Sequence, residues 1–180
     1  MPDEPTPAAA GDAGQPHSPS VVQGNKAASR RWIDVFNQRD EAAEADVRSP
    51  GFVAYAPASL ERDPLGPEAW TRFLGGFVEG FPDLRLRVEE TVGEGDLVAQ
   101  RVHFEGTHTG EFQGLPPTNR KVTFSGLELN RFADGRVVEH WFQLDSLTLF
   151  QQLGLVVVPG PRLLPRVLAH QVTRLRRRRR

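Results

Sequence analysis

The chain of 180 residues has no cysteine. That excludes disulfides, thiolate metal sites and cysteine nucleophiles. No apolar run approaches the roughly 20 residues that a membrane-spanning helix needs. The opening stretch, MPDEPTPAAAGDAGQPHSPS, lacks the basic and apolar regions of a signal peptide, so the expected location is the cytoplasm. Large apolar side chains are nearly absent before Val21. A segment of that kind cannot bury enough surface to offset its ordering entropy, and residues 1–24 are expected to form a disordered arm.

Acidic residues are missing from residues 155–180, which hold eight arginines, five of them in the run Arg176 to Arg180. The rest of the chain keeps 14 Lys+Arg against 23 Asp+Glu, a charge of −9 hidden behind a net charge of −1. The tail interleaves Leu163, Leu164, Val167, Leu168, Val172 and Leu175 with arginine. It can be read as a basic amphipathic helix for anionic surfaces, or as a solvated tail resting on the acidic body. It carries no nucleic-acid-binding motif and no interleaved aromatics, so no specific nucleic acid is expected.

Hydrophobic residues make up 38% of the chain, enough for one domain with a core between these two tails. Asn25 can cap a helix reaching about Arg39, with Ala28, Trp32, Val35 and Phe36 on one stripe. A short helical turn over 40–47 and an extended piece from Phe52 to Tyr55 follow. Gly66-Pro67 starts the clearest helix, in which Trp70, Phe73, Leu74, Phe77, Val78 and Phe81 recur on one face. From Leu84 the period changes to two. Strands are expected at about 84–90, 97–106, 121–132 and 136–144, the last two joined by the hairpin signal Asp134-Gly135. Val138, His140, Phe142 and Leu144 point one way along the last strand, Val137 and Trp141 the other. Asp145 caps a closing helix that Gly154 stops. Helices followed by a run of strands mean α+β, with helices on one face of a curved sheet.

One combination of motifs is specific. G-x-H-x-G-x-F-x-G-x-P-P-T spans Gly106 to Thr118, D-G-R-V-x-E-H-W spans Asp134 to Trp141, and Q-Q-L-G closes at Gly154. With GPEAW at Gly66 to Trp70 and FPD at Phe81 to Asp83, residues 25–154 resemble the SnoaL-like polyketide cyclases (ester cyclases) of the nuclear transport factor 2-like superfamily. The resemblance implies a cone in which N-terminal helices close a curved antiparallel sheet over an apolar pocket. It implies a homo-oligomer, dimer or tetramer. The activity it implies is intramolecular aldol ring closure of a polyketide methyl ester by acid/base catalysis, without metal or organic cofactor. The family motif reads H-W-D with a catalytic aspartate, whereas this chain reads His140, Trp141, Phe142. Phenylalanine cannot exchange a proton. A non-catalytic small-molecule-binding protein on the same scaffold is therefore the alternative. An epoxide-opening hydrolase would need an Asp-Arg-Asp arrangement that the sequence does not offer.

Candidates for the missing acid/base follow from strand alternation. His140 lies in an apolar row, either as a proton-transfer group tuned by burial or as a satisfied core histidine. Glu128 alternates with Phe124, Gly126, Asn130 and Phe132 and is the preferred substitute, since burial would raise its pKa. Asp145 falls on the other strand face and is read as a helix cap. Arg101 could stabilise an enolate or form an ordinary ion pair. His103, His108 and Glu105 lack a third ligand at sensible spacing, so no metal is expected. Tyr55, Trp70, Phe73, Phe77, His103, His108, Phe112, Phe124 and Phe142 are the expected lining for a small apolar or polycyclic ligand.

Overall fold

The computed structural model describes residues 18–57 and 60–155. The basic tail from residue 156 and most of the N-terminal arm lie outside the described residues. Four helices and five strands run α1 (Pro19–Gln38), α2 (Glu41–Val47), β1 (Arg48–Tyr55), α3 (Pro67–Gly80), β2 (Arg85–Glu94), β3 (Leu97–Thr107), β4 (Lys121–Ala133), β5 (Arg136–Leu144) and α4 (Ser146–Leu153). The architecture is α+β with one curved, open sheet in the order β1-β5-β4-β3-β2. Among the described residues no helix is long and apolar enough to cross a membrane.

Three expectations need correction. First, α1 starts at Pro19 rather than Asn25, so residues 19–24 are helical and not part of a disordered arm. Proline suits the first helical turn, and the extra turn is anchored where Val22 and Lys26 pack over Gly93 of β2. Second, the sheet is mixed. β2, β3, β4 and β5 pair antiparallel, but β1 pairs parallel to β5. Parallel neighbours need a long crossover, and everything from α3 to β4 supplies it. Third, Val137 is fully buried beside Phe132. The register shifts between Arg131 and Phe132, leaving Val138 as the extra residue of a bulge. Simple alternation therefore fails at the start of β5.

The helices close over one face of the sheet. Arg39 takes a left-handed conformation at φ 60° to end α1. Its guanidinium donates to the carbonyls of Phe36 and Leu84, tying the helix end to the start of the sheet. Asp40 then caps α2 by accepting from the Ala43 N–H at 2.9 Å. Arg48, at the α2–β1 junction, pairs with Glu44 at 3.2 Å and donates to the Pro67 carbonyl at 3.0 Å. Glu44 also receives a long hydrogen bond from Trp32 Nε1. These buried polar contacts lock α1, α2, β1 and α3 together as a roof. Asp145 caps α4 as expected, accepting from Thr148 N–H and Oγ1.

Candidate active site

The sheet face beneath the roof is set by cross-strand register. Gln100 sits opposite Glu128 and Val98 opposite Asn130, while Glu128 faces Phe142 and Asn130 faces His140. Period-two alternation puts all six on the concave side. Trp32 of α1 and Trp70 of α3 come down onto this row. Their rings lie 4.8 Å and 4.9 Å from the His140 ring, centre to centre, with Phe142 at 6.1 Å on a third side.

Two small adjoining cavities remain, each of about 30 Å³. Both are walled by Phe36, Trp70, Leu74, Leu86 and Glu128; His140 borders one, and Phe77, Phe104 and Phe142 border the other. A larger groove of about 370 Å³ lies between α1, α2 and α3. Phe36 and Leu74 belong to its wall as well, so these two side chains stand between groove and interior. The interior cavities, not the larger groove, hold the pair of perturbed ionisable groups.

Glu128 and His140 are both buried, and burial shifts both toward neutrality. The Glu128 pKa is pushed from 4.5 up to about 8, and the His140 pKa is pushed from 6.5 down to about 3. No described side chain pairs with the Glu128 carboxyl, which leaves desolvation unopposed. His140 differs in having one partner. Its Nδ1 lies 2.6 Å from Asn130 Oδ1. Asn130 Nδ2 donates to Ser29 Oγ at 2.8 Å, and Ser29 Oγ donates to Gln100 Oε1 at 2.8 Å. Trp70 Nε1 and His140 Nε2 are buried with no partner among the described residues.

The structure thus brings Glu128, His140, Trp70, Phe77 and Phe142 to one place. Phe73 stacks on Trp70 at 5.3 Å, Phe112 packs on Phe77 at 4.9 Å, and Phe124 lies flat on Phe104 at 4.8 Å, so all three back the wall. His108 is elsewhere. It stacks on Phe81 at 5.0 Å, and its Nδ1 accepts from the Thr118 N–H at 3.2 Å, pinning the 108–120 loop.

Three expected positions are corrected by strand parity. Tyr55 stacks on Trp141 at 5.6 Å on the opposite face of the sheet. His103 lies on that face too, between its register partners Arg87 and Ser125. Arg101 is half-exposed there and pairs with Glu89 at 2.5 Å and Glu90 at 3.3 Å, which removes it from any chemistry in the cavity. Among the described residues, no three His, Asp or Glu side chains are arranged to hold a metal ion.

Sequence reasoning missed Ser29, Gln100, Phe36, Leu74, Leu86 and Phe104 as site residues. Ser29 left a faint signal, being a polar residue one turn before Trp32 on an otherwise apolar stripe. Gln100 shares its strand face with Val98 and Val102, but only the pairing with β4 reveals what it touches.

A curved, open sheet roofed by helices, with Glu128 and His140 buried beneath them, defines an α+β fold of the nuclear transport factor 2-like class. Residues 26–153 match the SnoaL-like polyketide cyclase family, and the chain belongs to that family. It is 28% identical over 134 residues to the aklanonic acid methyl ester cyclase DauD of Streptomyces sp. (strain C5), covering 69% of this chain and 78% of the relative. Two solved structures are each 32% identical. AclR of Streptomyces galilaeus, a candidate hydroxylase, superposes with a TM-score of 0.68 over 76% of this chain and 99% of its own. IdmH of Streptomyces antibioticus, a candidate polyketide cyclase, does so with 0.64 over 77% and 100%.

Proposed function

We propose that this protein closes a ring in a polyketide or related small apolar ester or ketone by an intramolecular aldol reaction, with Glu128 as the proton-transfer group. The observation carrying this reading is the Glu128 carboxyl, unpaired in the wall of both interior cavities with its pKa raised to about 8. A carboxylate of that basicity is far better matched to a carbon acid than an ordinary one. Ionised Glu128 takes a proton from the carbon beside the substrate carbonyl, forming an enolate. The enolate carbon attacks a second carbonyl, making the C–C bond and an alkoxide, and Glu128 returns the proton to that alkoxide. The proton balance closes without cofactor. In this reading Trp70 Nε1–H, buried and without a partner among the described residues, donates to the enolate oxygen.

Cavities of about 30 Å³ are far below the several hundred Å³ typical of ligand sites. In this reading the substrate enters from the outer groove and displaces Phe36 and Leu74, merging groove and interior. A homo-oligomer in the cytoplasm is the assembly and setting that go with it.

The test is turnover of a panel of polyketide methyl esters. Wild type should form cyclised product, with kcat/KM rising with pH through about 8, and Glu128→Gln should lose at least about 100-fold. A Glu128→Gln variant as active as wild type would sink the assignment.

A second reading has its own observation. Phe142 fills the site where the family carries aspartate and is buried against Phe104 and Trp70. A binding protein would use the neutral Glu128 carboxyl as a hydrogen-bond donor to a ligand carbonyl. Tight binding of the esters without product by the wild type selects this reading.

A further inference from the structure

We infer that Ser29, Asn130 and Gln100 are positioning residues that fix His140 as its Nδ1–H tautomer, leaving Nε2 bare as the hydrogen-bond acceptor of the cavity for an enol hydroxyl. Ser29 has one proton and gives it to Gln100 Oε1, so its oxygen must accept from Asn130 Nδ2. With the amide nitrogen so turned, Asn130 presents its oxygen to His140 Nδ1 at 2.6 Å. An amide oxygen only accepts, so the proton of the contact sits on Nδ1. Burial beneath Trp32 and Trp70 desolvates the ring and holds it neutral. A neutral ring protonated at Nδ1 has a lone pair at Nε2, an atom that is buried and unpartnered.

The chemistry of the chamber then names its ligand class, resting here on the functional reading above. Trp70 Nε1–H is a donor with nothing to donate to, and His140 Nε2 an acceptor with nothing to accept. Both residues wall the same cavity, where Glu128 is the other titratable group. An enolised 1,3-dicarbonyl carries both complements on neighbouring oxygens: a hydroxyl for Nε2 and a carbonyl for Trp70. The chain from Gln100 to His140 is anchored on α1, β3, β4 and β5, so the polarity of the acceptor is set by the packing of a helix onto three strands. Reversing it would require the amides of both Asn130 and Gln100 to turn over.

The test is long-range ¹H–¹⁵N spectroscopy of the full chain, with the His140 signals assigned by their absence in His140→Gln. The expected result at pH 7 is a protonated Nδ1 and an unprotonated Nε2. Ser29→Ala should shift the ring to a mixture of tautomers, and Asn130→Asp, whose carboxylate can only accept, should retain the Nδ1–H form. Saturating acetylacetone, an enolised 1,3-diketone, should move the Nε2 resonance in wild type and bind at least tenfold more weakly to Ser29→Ala. A protonated Nε2 in wild type overturns the inference, as does an Nε2 resonance indifferent to acetylacetone. Because the tautomer is read without turnover, failure of the cyclase assignment shows separately, as inactive wild type with the Nδ1–H signal intact.

Discussion

Glu128 on β4 and Phe142 on β5 are direct cross-strand partners. Side chains so related stand about 5 Å apart at Cβ on one face of the sheet. The carboxyl of this chamber therefore projects from the strand beside the position where the family motif carries aspartate.

Phe142→Asp places a second carboxyl next to Glu128. Like charges at that range resist ionising together, so the pair should titrate in two steps, the upper one above that of Glu128 alone. Loss of the buried ring should cost about 3–5 kcal/mol, measured by urea unfolding. If product forms only in this variant, the added carboxyl at the motif position performs the proton transfer and the binding reading describes the wild type.

Stability should have a plateau in pH that these two buried groups create. His140 has a lowered pKa, so between pH 3 and 6.5 the unfolded chain binds the extra proton and stability rises with pH. Glu128 has a raised pKa, so between pH 4.5 and 8 the folded chain holds the extra proton and stability falls as pH rises. The opposing slopes, about 1.4 kcal/mol per pH unit each, cancel where the windows overlap. The result is a rise up to about 4.5, a flat stretch to about 6.5, and a decline to about 8. Glu128→Gln should remove the decline while the rise with His140 survives. Chemical denaturation across pH reads both limbs.

Trp70→Phe separates a catalytic donor from a packing role. The ring remains to pack on Phe73 and Phe142, and a buried N–H without a partner is removed. Stability should change by less than about 1.5 kcal/mol, because the lost area is offset by the relieved donor. Turnover should fall about 100-fold if the indole donates to the enolate. A proportional loss of stability and activity would assign Trp70 to the core alone.

Gly110→Ala tests the loop motif. A methyl group there would lie 2.0 Å from the Glu79 carbonyl oxygen at the end of α3. The Gly110 N–H donates to the Gly80 carbonyl at 3.1 Å in the same contact. Since the neighbour is backbone, the loop must move away, and a loss above about 2 kcal/mol is expected. The His108–Thr118 contact should loosen with it.

Much of this molecule was readable from local chemistry. The hairpin at Asp134-Gly135, the cap at Asp145, the stop at Gly154 and the aromatic face of α3 each depend on a few consecutive residues, and each stands where those residues put it. Glu128 was also legible on the inward face, because alternation along β4 is unbroken. Alternation failed at β5, where the Val138 bulge cannot be seen in the sequence. It was also silent about which face of β3 is inward, which is why Arg101 and His103 were expected near the pocket.

What the sequence determined by itself is the set of elements, their caps and turns, and the family, since these follow from periodicity and short motifs. What only the tertiary structure decided is the site. Whether Glu128 is solvated or dry, and which atom of His140 is bonded, depends on Ser29, Gln100, Asn130 and two tryptophans that lie far apart in the chain. Desolvation and hydrogen-bond direction are properties of the surroundings of a group, and those surroundings exist only once α1 and α3 close over the sheet.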